Sequence, residues 1–356
     1  MSEDRKNYHL SPRDYEILND VVRTYILTGE PVSSRSLAKR PRHELSAASI
    51  RNIMADLEDC GYLMQPHTSA GRVPTHAGYH LYIDALMPTR GVPDRERRYI
   101  DENLREAPSD GEQLMGAVTS LLTELSHQIA IVVTPALGDT VLRSVDFVQL
   151  SGARVLCVLV SASGFVDNKV IETQRPLPRE ELVTISNYLT ENFAGLNLRQ
   201  IRDRLLEMMA EERAQVDQLL ASAITLAQEA LGKEGEPEVL VQGTSTVLIQ
   251  PELSDIERVR KLMGTFSDKV KLVRMLGQLM QGSGVRVIIG EESDLTSDLD
   301  FSLVATTYGS REHPLGSLGI FGPSRMEYQR IVPLVSYLGE ALSQALETTL
   351  GEGSGS

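Results

Sequence analysis

The chain has no tryptophan, only two cysteines, and aromatic residues at 5% of its composition. Cys60 and Cys157 form no CxxC pair and have no second thiol near them in sequence, so a disulfide framework is excluded and both are expected to be buried, reduced and inert. No apolar run is long enough to cross a bilayer, and the polar start MSEDRKNYHLSPRDYE lacks the basic head and apolar middle of a signal peptide. These absences predict a cytoplasmic protein without a membrane partner. Basic charge is scarce as well. The 35 Lys and Arg against 49 Asp and Glu leave a net charge of -14, which argues against nucleic-acid binding over the whole surface but leaves room for a local basic face.

At 356 residues the chain is too long for one ordinary core and predicts two or three domains. Its charge is unevenly spread. Residues 1–87 carry 10 Lys and Arg against 11 Asp and Glu, while the remainder carries 25 against 38. Within residues 33–55 five basic groups (Arg35, Lys39, Arg40, Arg42, Arg51) face a single acid, Glu44.

Ser11, Pro12 and Asp14 form a helix start, with a hydroxyl cap, a proline at the first position and an acid in the first turn. Ile17, Leu18, Val21, Val22, Tyr25 and Ile26 then repeat at helical spacing until Gly29 and Pro31. A short helix fits Ser34 to Arg40, and a third begins at Ser46 with Ile50, Ile53, Met54 and Leu57 on one face. Tyr62 to Gln65 and Arg72 to Pro74 read as two short strands joined by a turn. Three short helices and a hairpin fit a winged helix-turn-helix. HAGYHLYIDAL (76–86) resumes helical spacing, and PTRGVP (88–93) has the composition of a linker.

Residues 95–128 are expected to be helical and QIAIVVTP (128–135) to be a buried strand. Strands are expected at FVQL, RVLCVLV and KVIET, followed by a helical region from about Arg179 to Leu231 whose stripe of Val216, Leu219, Leu220, Ala223, Ile224, Ala227 and Leu231 reads as ordinary core. Mixed elements come next: helices over Ser254 to Phe266 and Lys269 to Met280, and strands at VRVIIG, SLVATTY and SLGIFG. The last helix is expected to start at Ser324, with Glu327 as its capping-box partner, and to run to about Thr349.

No catalytic constellation stands out, so the chain is not expected to be an enzyme. GSGVRVIIG (282–290) places its glycines before a strand, whereas a dinucleotide loop follows one. Asp294, Asp298 and Asp300 lack the ligand spacing of a calcium loop, and His76 with His80 has no third ligand. No metal or cofactor is expected. The demands of a recognition helix are met better: Ala48, Ser49, Arg51 and Asn52 put short or hydrogen-bonding side chains near the N-terminus of the third helix, opposite its apolar face. Arg35 and Lys39 are placed to hold the DNA backbone, and Arg72 at the hairpin to meet a phosphate or the minor groove.

The run LSAASIRNIMADLEDCGYLMQPHTSAGRVPTHAGYHLYID, with VSSRSL before it, resembles the DNA-binding region of the heat-inducible transcription repressor HrcA family of bacteria. VIIGEES and HPLGSLGIFGPSRMEYQRIVPLVSYL resemble that family's final segment. The resemblance implies an α+β homodimer with a winged helix-turn-helix domain at 1–88, a split GAF-like domain at 108–142 and 239–350, and an inserted α/β dimerisation domain at 143–238. It implies a repressor of chaperone operons that binds an inverted-repeat operator in double-stranded DNA and is modulated by the GroE chaperonin. Ile53 stands where a Glu is expected in related sequences, and since it falls on the apolar face it is assigned no base contact. The alternative function is a transcriptional regulator whose GAF-like domain senses a small ligand.

Overall fold

The computed structural model describes residues 10–40, 45–68, 70–86, 91–107, 111–134, 141–162, 165–173, 175–197, 238–247, 256–267, 284–290, 300–309 and 314–351, with isolated positions between 200 and 276. Arg42, most of the expected helix at 269–280, Asp294, Asp298 and all of the stripe from Val216 to Leu231 lie outside the described residues.

Helix α1 spans Pro12–Thr28 and is started as the sequence demands. The Ser11 hydroxyl accepts from the Asp14 amide while the Asp14 carboxylate accepts from the Ser11 amide at 2.7 Å, a reciprocal capping box. It ends at Gly29 in the left-handed region (φ 68°), where the glycine amide donates to the Tyr25 carbonyl. Helix α2 (Ser34–Ala38) is capped by Ser33, and α3 (Ala47–Asp59) by Ser46. The antiparallel pair β1 (Leu63–Met64) and β2 (Val73–Pro74) follows, and Arg72 continues the ladder by bridging to Val32. Gly71 is required there, because a Cβ would collide with the Val32 carbonyl. Ile17, Leu18, Val21, Leu37, Ile50, Leu57 and Leu63 are buried together beneath these elements.

Helix α4 (His76–Leu86) leads out of this unit, and two helices, α5 (Asp94–Glu106) and α6 (Gly111–Ser126), occupy the stretch expected to be helical. Strand β3 (Ile129–Val133) then enters a five-stranded antiparallel sheet of order β7-β3-β10-β9-β8. Its other members are β7 (Val239–Gln242), β8 (Arg286–Ile289), β9 (Phe301–Gly309) and β10 (Pro314–Pro323). The period-two alternation sends Ala130, Val132, Val304, Leu318 and Ile320 to one face and Ile129, Ile131, Leu303, Ala305 and Phe321 to the other. The first face is covered by α6 and the C-terminal helix, the second by α9 (Ile256–Ser267), with the four-residue α8 (Thr244–Val247) beside β3. Burial on both sides explains why β3 reads as one continuous apolar run.

Between β3 and β7 the chain builds a second, three-stranded antiparallel sheet: β4 (Leu142–Ser151), β5 (Arg154–Ser161) and β6 (Val166–Glu172). One face packs on α7 (Arg179–Phe193) through Val145, Phe147, Val155, Cys157, Leu182, Ile185 and Leu189, a core separate from that of the larger sheet. Exit and return are adjacent. The Thr134 amide donates to the Glu238 carbonyl at 2.9 Å and Val133 pairs with Val239.

The C-terminal helix α10 runs Tyr328–Gly351 and starts later than expected. Ser324 is not its cap, since the Arg330 and Ile331 amides donate to the Glu327 carbonyl. Residues 323–326 instead make a turn, closed by the Met326 amide on the Pro323 carbonyl, that drives Met326 into the core. Within the expected helical region α7 ends at Phe193, where Gly195 takes a positive φ of 87°, and Gln200, Ile201, Arg204 and Leu226 further along are again helical.

Candidate nucleic-acid interface

The surface offered by α2, α3 and the hairpin is built from the inside outward. Ile50, Met54 and Leu57 anchor one side of α3 in the core. The helical period then turns Ala48, Ser49, Arg51 and Asn52 outward, and all four are exposed. Ile53, assigned no base contact, is half-buried against the core. Arg35 is exposed on α2, the helix that packs against α3, and Lys39 is exposed at its C-cap.

The start of α3 is ordered by Ser46. Its hydroxyl accepts from the Ser49 amide at 3.1 Å and shares a hydrogen bond with the Ser49 hydroxyl at 2.9 Å. That pairing fixes the Ser49 side chain on the N-terminal turn, where the helix dipole favours an approaching anion. Six exposed side chains that are cationic, hydrogen-bonding or short thus gather on two packed helices and the cap between them, the chemistry that reads base edges and holds phosphates.

Two arginines behave otherwise. Arg40 sits 3.6 Å from the Asp20 carboxylate and donates to the Thr24 hydroxyl at 2.6 Å, so it ties α2 to α1. Arg72 turns inward. Its guanidinium lies 2.7 Å from Glu58 near the end of α3, with the two side chains 19% and 32% exposed, and its Nε is buried. The sequence expectation of an outward contact at the hairpin therefore misses what Arg72 touches here: it fastens β2 to α3. Nothing in the sequence pattern links Glu58 to an arginine across the turn.

Among the described residues no cluster of His, Cys, Asp and Glu could hold a metal. His76 packs beside Gly290 at the end of β8, where a Cβ would collide with the imidazole. Cys157 is buried and its thiol is pushed up to about 12, first by desolvation and then by Asp167. Cys60, expected to be buried, is half-exposed at the end of α3, with its thiol raised by desolvation and the nearby Asp56 and Asp59. Among the described residues no helix is long and apolar enough to cross a membrane.

The N-terminal unit packs against the helices and sheet of the rest of the chain. Tyr79 of α4 meets Tyr328 of α10 edge to face at 5.8 Å, and the Tyr328 hydroxyl donates within its buried pocket, 2.8 Å from both Ser302 Oγ and the Ser324 carbonyl. Arg330 reaches Glu96 of α5 at 3.1 Å.

Residues 112–332 match the family model described as HrcA protein C-terminal domain. The chain is 39% identical over 338 residues to the heat-inducible transcription repressor HrcA of Geobacter sulfurreducens, covering 95% of this chain and 98% of the relative. It is 39% identical over 340 residues to the protein of the same name from Xanthomonas euvesicatoria pv. vesicatoria, covering 95% and 97%. A solved crystal structure described as a hypothetical protein aligns with a TM-score of 0.63 at 24% identity, over 96% of this chain and 100% of the other, a likeness of fold alone.

Proposed function

We propose, from the premise that this chain belongs to the heat-inducible transcription repressor HrcA family, that it represses as a cytoplasmic homodimer whose N-terminal unit binds an inverted-repeat operator. In this reading residues 1–88 are a winged helix-turn-helix with α3 as recognition helix. Ala48, Ser49, Arg51 and Asn52 face the major groove, Arg35 and Lys39 hold phosphates, and the β1–β2 hairpin is the wing. Arg72 acts by positioning that wing through Glu58. The observation that carries the reading is the N-terminal half of α3, where exposed Ser49, Arg51 and Asn52 stand opposite buried Ile50 and Met54, ahead of the exposed acids Asp56 and Asp59.

Symmetry follows from the same physics. A single module of this size covers few base pairs, whereas two modules about a twofold axis read a palindrome at about 34–36 Å spacing. The dimer contact is assigned to the insertion at 143–238. The face of the β4-β5-β6 sheet opposite α7 presents Val148, Leu156 and Val170 in one cross-strand row and Val160 and Val166 in another. Val148, Val166 and Val170 are exposed there, as a self-complementary interface requires. The split unit at 108–142 and 239–350 is assigned to a GAF-like domain, which suits a sheet whose strands lie on both sides of the insertion. Modulation by the GroE chaperonin is part of the same proposal.

A mobility-shift titration with an inverted-repeat probe, run with and without chaperonin, tests it. The expected result is one salt-sensitive complex containing two chains, strengthened by chaperonin. Equal affinity for the repeat and a scrambled duplex would overturn it.

A further inference from the structure

A cleft of about 390 Å³ lies between the N-terminal unit and the turn that follows β10, a size that suits a small metabolite. Two of its lining residues, Tyr79 and Ser324, are 3% and 4% exposed, yet neither hydroxyl has a hydrogen-bond partner among the described residues. A buried hydroxyl without a partner has given up its hydration for nothing, so two such groups lining one cleft call for an occupant that completes them. Opposite charges flank the same point. Burial pushes up the Tyr79 ionisation, with smaller contributions from Tyr328, Tyr25 and Asp300, and Arg325 opposes them, which places Asp300 and Arg325 within electrostatic reach of that hydroxyl. Met64 and Val73 of the hairpin supply an apolar wall.

We propose that this cleft binds a free α-amino acid with an apolar side chain. A simple anion would meet Asp300 and a simple cation would meet Arg325, whereas a zwitterion answers both. Arg325 and the hydroxyls of Tyr79 and Ser324 take the carboxylate, Asp300 takes the ammonium group, and the side chain lies on Met64 and Val73. The two sides of the site come from the N-terminal unit and from the body, so the ligand stabilises the arrangement in which they are docked.

The full-length protein is melted with L-leucine or L-methionine at millimolar concentration. Controls are 4-methylpentanoate, which lacks the amine, and 3-methylbutylamine, which lacks the carboxylate. The site predicts a rise in Tm of roughly 2–4 °C with at least one amino acid and none with either control. Tyr79→Phe and Ser324→Ala delete hydroxyls that have no partner, so each variant should melt near the parent without ligand and lose most of the rise with it. Asp300→Asn keeps a side chain tolerated at the positive φ of 54° and should abolish discrimination against 4-methylpentanoate. No rise with either amino acid, an equal rise with the controls, or a full rise in all three variants would leave the cleft to water alone and overturn the proposal.

Discussion

Arg72 and Glu58 close on each other at 2.7 Å, joining the strand after the turn to the last part of α3. Under the proposed function, an arginine engaged in this way shapes the nucleic-acid surface rather than extending from it. Both Arg72→Ala and Glu58→Gln are therefore expected to weaken operator binding, with a stability loss of about 1–2 kcal/mol for the alanine variant, at the low end for charged hydrogen bonds because the pair is partly solvated. Fluorescence anisotropy on the operator, beside thermal melts, separates the roles. If Arg72 met phosphate instead, releasing it through Glu58→Gln would tighten binding.

Arg51 is exposed on α3 and Lys39 at the C-cap of α2, and the two should differ in kind. Arg51→Ala is expected to cost about 1–3 kcal/mol on the operator and little on scrambled DNA, the signature of a base contact. Lys39→Ala should weaken both duplexes alike and reduce the salt slope by about 0.9, the signature of one phosphate. Neither should move stability by more than about 0.5 kcal/mol. Binding titrations across a salt series supply each quantity.

Val148 and Val170 lie on the open face of the small sheet, 51% and 47% exposed. Replacing both with Lys should leave the fold intact, since neither enters the core against α7, while weakening self-association by about 2 kcal/mol or more. Under the proposed dimer, sedimentation equilibrium should then find monomer for the variant and dimer for the parent. An unchanged dimer would move the interface elsewhere.

Cys157 should resist alkylation in the folded protein at neutral pH, and Cys60 should react first, as mass spectrometry after iodoacetamide would record. The raised Cys157 thiol also has a pH consequence. The folded state keeps a proton that the unfolded chain releases near the ordinary thiol range of about 8.5. This contribution is complete below that range and is lost as pH rises toward the folded value of about 12. Cys157→Ser should show a flatter fall in stability between those limits.

Local signals were legible wherever one turn of chain contains its own cause. The Ser11 capping box, the Gly29 stop, the Ser46 cap and the outward set Ala48, Ser49, Arg51 and Asn52 all follow from side chains within a few residues of one another. The same logic failed at Ser324, where a sound capping pattern was overridden by the Pro323–Met326 turn and the burial of Met326. Local preference amounts to about 1 kcal/mol at a cap, which burying a side chain of that size exceeds.

Charge and helical period are properties of the linear chain, so the order of residues was enough to place the basic, hydrogen-bonding face in the N-terminal unit. It was also enough to mark β3 as buried on both faces, since such a strand must be apolar throughout. What each charge meets was decided by packing: Arg72 on Glu58, Arg40 on Asp20 and Arg330 on Glu96 are pairings across elements that no spacing rule encodes. Folding alone brought β7 back beside β3 and laid Tyr79 against Tyr328, because contacts between distant segments are chosen by the fit of whole surfaces.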